Sequence, residues 1–97
     1  MENEKINIEK LEEAANMLKA IAHPLRISII GLLDKENKLT VTQIHEALQI
    51  EQSTASHHLG ILKDKGVLAS KREGKNILYY LKHNILSEII KCIDKCT

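Results

Sequence analysis

Hydrophobic spacing changes twice along this chain, and those changes constrain its fold more than any other feature. Up to Lys65 apolar residues recur every three or four positions, from Val67 to Leu81 they alternate every second position, and from Asn84 the longer spacing returns. Helix and strand are the regular backbones with those two periods. The expected order is therefore a run of helices, one hairpin and a closing helix. With 97 residues in all, these must share one core, so 1–97 is read as a single domain. Two Tyr and no Phe or Trp make that core aliphatic.

Local signals set the expected boundaries. Ile8, Leu11, Ala15, Leu18 and Ala22 predict a helix from about Ile8 to Ile21, with Asn7 as its cap. His23-Pro24 breaks the pattern, and Pro24 suits the first position of a second helix reaching about Asp34. That helix is apolar on most sides and is expected to be central. A polar loop, Asp34 to Leu39, leads to Thr40-Val41-Thr42-Gln43, a capping-box pattern opening a third helix that ends near Leu48. Gln49 to Gln52 turns the chain, and a fourth helix is expected from about Ser53 to Lys65, stopped by Gly66. Its inward positions are Ala55, Leu59 and Leu62. The hairpin spans 67–81, with Arg72-Glu73-Gly74-Lys75-Asn76 as a charged turn. A fifth helix, from about Asn84 to Lys95, carries Ile85, Leu86, Ile89, Ile90 and Ile93 on one broad face.

Several function classes fall away. The longest uncharged apolar stretch, Ile27 to Leu33, is too short to span a bilayer, and the acidic start has no signal-peptide pattern. Cys92 and Cys96 are the only cysteines and form no disulfide framework. The expectation is a soluble, cytoplasmic protein without a membrane partner. The chain contains no Gly-rich phosphate loop, no Ser-His-Asp arrangement and no carboxylate pair in a pocket-forming context, so it is not expected to be an enzyme.

Net charge is only +1, yet the charge is segregated. Five Glu stand against Lys5 and Lys10 in residues 1–13. Residues 63–82 carry Lys63, Lys65, Lys71, Arg72, Lys75 and Lys82 against Asp64 and Glu73. An acidic head and a basic second half matter more than the sum when a surface must meet phosphate.

Helix, helix, turn, helix and basic hairpin is the layout of a winged helix-turn-helix: mostly α with a small β-hairpin, five helices and a two-stranded wing. In that layout the motif's second helix enters the major groove of duplex DNA, and the hairpin reaches the backbone or minor groove. Within it, 41–66 is the helix-turn-helix and 67–81 the wing. Gln52, Ser53, Thr54, Ser56, His57 and His58 give the fourth helix a short, polar, uncharged N-terminal half suited to base edges and phosphates, with His57 the better DNA candidate of the two histidines. A solvated helix start has the same composition, and the basic wing tips the balance toward DNA. Lys63, Lys65, Lys71, Arg72 and Lys75 are the candidate phosphate contacts, with Arg26 and Ser28 as lesser ones. His23 is read as a turn residue, His45 as facing solvent or an interface, and His58 as partly packed.

The sequence also resembles the ArsR/SmtB family of small bacterial repressors over nearly its full length. The carrying stretches are Leu18 to Leu33, Val41 to Leu48, Arg72 to Leu81 and, most specific, Gln52-Ser-Thr-Ala-Ser-His-His-Leu-Gly-Ile-Leu-Lys-Asp-Lys-Gly-Val-Leu68. The resemblance implies a homodimer built from the first and last helices (1–22 and 84–97), binding a palindromic operator near its own gene. The wide apolar stripes of those two helices agree with this.

The same family places its sensors where this chain mostly lacks ligands. A Cys-x-Cys pair at the start of the third helix is replaced by Leu39-Thr-Val-Thr-Gln-Ile-His45, which has no sulfur. The zinc site of other members joins the start of the last helix to its end across the dimer. Here the start offers His83, the end offers Cys92, Asp94 and Cys96, and Ile85 and Lys95 interrupt the pattern. Gly31 fills the place of the helix-2 cysteine of a redox subgroup. Three readings of Cys92 and Cys96 stay open: small hydrophobes in the dimer interface, a thiol-modification or redox switch, or a metal site with His83 and Asp94. A winged-helix interaction module that never meets DNA is the competing reading of the whole chain.

Overall fold

The computed structural model describes residues 7–96, with the side chains at 89, 93, 94 and 96 outside the description. The chain runs α1 (Ile8–Ile21), α2 (Pro24–Glu36), β1 (Leu39–Thr40), α3 (Val41–Leu48), α4 (Gln52–Asp64), β2 (Leu68–Glu73), β3 (Asn76–Leu81) and α5 (Asn84–Cys96). All five expected helices and the hairpin are present.

Side chains cap the early helices as their types dictate. Asn7 Oδ1 accepts from the Lys10 amide at 3.2 Å. His23 lies in extended backbone, and its Nδ1 accepts from the Leu25 amide at 3.2 Å, with Pro24 just inside α2. The Thr40–Gln43 capping box is complete: the Gln43 amide donates to Thr40 Oγ1 at 3.1 Å, and the Thr40 amide donates to Gln43 Oε1 at 2.9 Å. Helix α4 differs. Glu51 caps it through no side-chain bond, so the first amides of α4 stay open to an outside acceptor.

The sheet adds one strand to expectation. Leu39 and Thr40 pair with Tyr79 and Leu78, giving an antiparallel sheet ordered β1-β3-β2. Two residues carry no readable period, which is why the 34–39 segment reads as loop alone. β2 and β3 pair from Leu68↔Leu81 to Glu73↔Asn76 around Gly74 and Lys75. Gly74 has φ +62, as a two-residue hairpin loop with Gly first requires.

The core is aliphatic throughout. Ile29, Ile30 and Leu33 from α2 meet Ile44, Leu59, Leu62, Val67, Leu68 and Leu86, so α2 is central as its composition demands. Alternation begins later than the sequence suggests, because Val67 and Leu68 are both buried. Tyr79 packs on this core and supplies the covering ring from the wing. Among the described residues no helix is long and apolar enough to cross a membrane.

Candidate nucleic-acid interface

Helix α4 is two-faced. Ala55, His58, Leu59 and Leu62 are buried, and they cluster on one side at helical spacing. The opposite side exposes Gln52, Ser53, Ser56, His57, Gly60 and Lys63, while Thr54 is half-buried. Ser53, Ser56 and Gly60 form a stripe of small residues along the outer face, and a Cβ built at Gly60 meets nothing within 4 Å. The helix axis can therefore come close to a groove floor. Gly60 extends this outer face beyond the N-terminal half of α4, four positions after Ser56.

The two adjacent histidines divide as their positions on the helix require. His57 is exposed and His58 is 8% exposed. Arg26 Nε donates to His58 Nδ1 at 3.0 Å, and Arg26 Nη1 donates to the Ala20 carbonyl at 3.1 Å. Arg26, a lesser phosphate candidate from sequence, thus directs its guanidinium into the protein. Burial, followed by the charge of Arg26 and the neighbouring His23 and His57, pushes the His58 imidazole below its ordinary value. Ser28 Oγ donates to the Pro24 carbonyl at 3.1 Å. His45 Nδ1 lies 3.1 Å from the Ile50 carbonyl and helps close the turn before α4.

The wing supplies exposed charge. Lys71, Arg72 and Lys75 are all at the surface. Lys71 forms a 3.0 Å ion pair with Glu73, which raises its affinity for a proton. Lys38, which the sequence did not single out, stands beside it: the close approach of the Lys71 ammonium, donor against donor and like charge against like, lowers Lys38 below the ordinary ammonium value. The sheet explains this meeting, since Thr40 and Lys71 both pair with Leu78. The missed strand β1 thus carries a second cation to the wing.

Lys65 lies elsewhere. It lines a cleft of about 380 Å³ between α1, the end of α4 and the β3–α5 connection, together with Glu13, Asn16, Met17, Lys82 and His83. Lys63 remains on the outer side of α4.

Two of the sensor candidates, His83 and Cys92, lie apart within one chain. His83 and Cys92 are both exposed. Nine residues separate them, about 13 Å along a helix, so one protomer cannot bring both to one metal ion. Among the described residues no group of three His, Cys, Asp or Glu is placed to hold a metal. The side chains of Asp94 and Cys96 lie outside the described ones. Cys92 shares a helix face with Ile85, seven positions earlier.

Comparison with known proteins agrees with this geometry. The family model described as "Bacterial regulatory protein, arsR family" matches residues 23–70. An uncharacterized HTH-type transcriptional regulator of Methanocaldococcus jannaschii is 39% identical over 88 residues, covering 91% of this chain and 99% of that protein. The transcriptional repressor PagR of Bacillus anthracis is 40% identical over 90 residues, 93% of this chain and 90% of that one. Its crystal structure superposes with a TM-score of 0.84, covering 90% of this chain and 99% of its own. The homodimeric winged helix-turn-helix DNA-binding domain of a Mycobacterium bovis protein gives 0.81 at 25% identity, covering 99% and 89%.

Proposed function

The chain belongs to the arsR family of bacterial regulatory proteins, and on that premise we propose that it is a cytoplasmic repressor that binds operator DNA as a homodimer. It is a DNA-binding transcriptional regulator with a winged helix-turn-helix fold. The observation that carries the finer reading is the outer face of α4, short and polar from Gln52 to Gly60, beside an exposed basic wing. α4 enters the major groove, where Ser53, Ser56 and His57 meet base edges and Gln52 and Thr54 meet the adjoining backbone. Lys63, Lys71, Arg72 and Lys75 hold phosphates and set the register.

The dimer rests on where the apolar stripes point. Ile8, Leu11 and Leu18 of α1 are 63%, 52% and 55% exposed, and Ile85 of α5 is 60% exposed. Only the C-terminal end of α1, through Met17, Ala20 and Ile21, packs on its own core. A two-fold copy covers both stripes and sets two α4 helices about 34 Å apart, one turn of DNA. Lys65, at the α1–α5 side, lies farther from such a duplex than the wing cations. Cys92, beside Ile85, falls within or next to this interface, where thiol modification or a metal shared between subunits could loosen the dimer and release the operator.

Fluorescence anisotropy of a duplex covering the DNA upstream of the protein's own gene tests the reading, first reduced and then mildly oxidised. Tight reduced binding that loses about 10³–10⁵-fold between 50 and 200 mM salt is expected for 6–10 phosphate contacts. Salt-insensitive binding removes the phosphate assignment, and no binding at all returns the fold to a protein-interaction role. Equal binding in both redox states leaves Cys92 and Cys96 as packing residues.

A further inference from the structure

Arg26 makes two hydrogen bonds to groups from other helices. Nε reaches His58 Nδ1 of α4 at 3.0 Å, and Nη1 reaches the Ala20 carbonyl of α1 at 3.1 Å. One guanidinium on α2 therefore ties three helices together. The His23 ring lies 4.9 Å from that of His58, and the His57 ring meets it edge-on at 5.3 Å. This cluster is the inner side of the same turn of α4 whose outer side presents Ser56 and His57.

We propose that the Arg26–His58 bond is a positioning link, holding α4 where Ser53, Ser56 and His57 can read base edges, and that it holds only while His58 is neutral. The proposal rests on α4 being the DNA-reading helix.

The chemistry allows one arrangement. A guanidinium offers donors only and does not give up its proton, so the nitrogen facing it must be bare. His58 is then neutral with its hydrogen on Nε2. A second proton, taken from solvent at Nδ1, aims an N–H at the Arg26 donors and sets two cations about 3 Å apart. The titratable and charged groups facing His58 are Arg26 and His23 from the start of α2 and its cap, and His57 from α4. None is an acid that could steady the imidazolium. Ala20, the contact from α1, contributes only its carbonyl, already held by Arg26. Protonated His58 must turn away, and α4 shifts with it.

Sequence reading needs α4 seated, whereas loose binding to phosphates does not. Acid should then weaken specific binding and spare non-specific binding. The sign is informative, because protonating exposed His57 or other surface histidines adds positive charge and strengthens contact with any DNA.

The test is anisotropy with the full chain at pH 7.5 and 5.5 and constant ionic strength. The probes are the duplex upstream of the protein's own coding sequence and a mixed-sequence duplex of equal length. Wild type is expected to lose affinity for the upstream duplex, by at most the roughly tenfold that an imidazole of ordinary affinity for protons would give, and to hold or gain on the mixed one. His58→Asn sets an amide oxygen near the place of Nδ1 and does not titrate. It should match wild type at pH 7.5 and hold or gain affinity at pH 5.5. Arg26→Met should bind the upstream duplex weakly at both pH values. Equal acid losses on both duplexes, or one profile shared by wild type and His58→Asn, overturn the link. If either variant fails to fold, the wild-type contrast between duplexes still decides. Failure to bind either duplex at pH 7.5 is a different result: it overturns the regulator reading, and the link's role in DNA reading with it.

Discussion

The amide of Val67 donates to the carbonyl of Leu62 at 2.9 Å, joining the last turn of α4 to the residue that leads into the wing. The Gly66 amide donates to the Lys63 carbonyl at 3.1 Å, and Gly66 has φ +80. Together these make a Schellman motif, closed by contact between two fully buried side chains, Leu62 and Val67. The Lys82 amide donates to the Val67 carbonyl at 3.1 Å, so the base of the wing is tied to the same residue. Helix α4 and the base of the wing are therefore joined at Val67.

That junction predicts the cost of Gly66→Ala. No atom lies within 4 Å of the added Cβ, so the penalty is conformational, about 1–2 kcal/mol for a left-handed non-glycine residue. Denaturant unfolding should show that loss with an unchanged m-value.

Gly60→Ala should do the opposite to stability. Its Cβ also meets nothing within 4 Å, and alanine in a helix interior gains about 0.5–1 kcal/mol over glycine. Because the methyl projects from the outer stripe of α4, operator affinity should fall while the thermal midpoint rises. A stabilised variant with unchanged affinity places Gly60 away from the groove.

Leu18→Glu should yield a monomer. Leu18 is 55% exposed in a single chain, so the substitution spares the protomer core and strikes the proposed two-fold contact. Sedimentation velocity should show half the wild-type mass. In a Cys96→Ser background, Cys92 should react with a maleimide faster in this monomer than in the dimer.

The Lys38, Lys71 and Glu73 group predicts a graded response. Lys38→Ala and Lys71→Ala should each weaken binding to operator and to mixed DNA alike, lowering the salt slope by about 0.9 per lost phosphate contact. Glu73→Gln frees Lys71 from its 3.0 Å ion pair and should strengthen binding to both duplexes. Unchanged slopes in all three variants place the group away from the backbone.

His58 predicts an acid-sensitive stability. Its native value lies below the ordinary one of about 6.5, so between the two the unfolded chain binds more protons. Its contribution is therefore complete above about pH 6.5 and is lost as pH falls toward and through the lowered native value. Thermal midpoints of wild type should drop over that interval relative to those of His58→Asn.

Much of this molecule was legible in its sequence, because its elements are signalled locally. Asn7, Pro24, the Thr40–Gln43 box and Gly66 each act on backbone within four residues, and each sits at the boundary it marks. The inward set Ala55, Leu59 and Leu62 followed from helical spacing alone. So did the polar outer start of α4.

What escaped that reading depends on partners far along the chain. β1 is a strand only because β3 runs beside it, and with β1 comes Lys38, whose neighbour Lys71 is 33 positions away. Arg26 is a basic residue on paper and could serve a phosphate; the packing of α2 between α1 and α4 turns it toward Ala20 and His58 instead. The outward tilt of Ile8, Leu11, Leu18 and Ile85 was decided in the same way, since an apolar stripe does not state whose core it will join. The sequence by itself determined the five helices, the hairpin, the caps at Asn7 and Thr40 and the polar face of α4, because those depend on short-range backbone geometry and side-chain period. Tertiary structure decided which cations reach the wing and that Arg26 turns inward to His58, because both depend on contacts between residues distant in sequence.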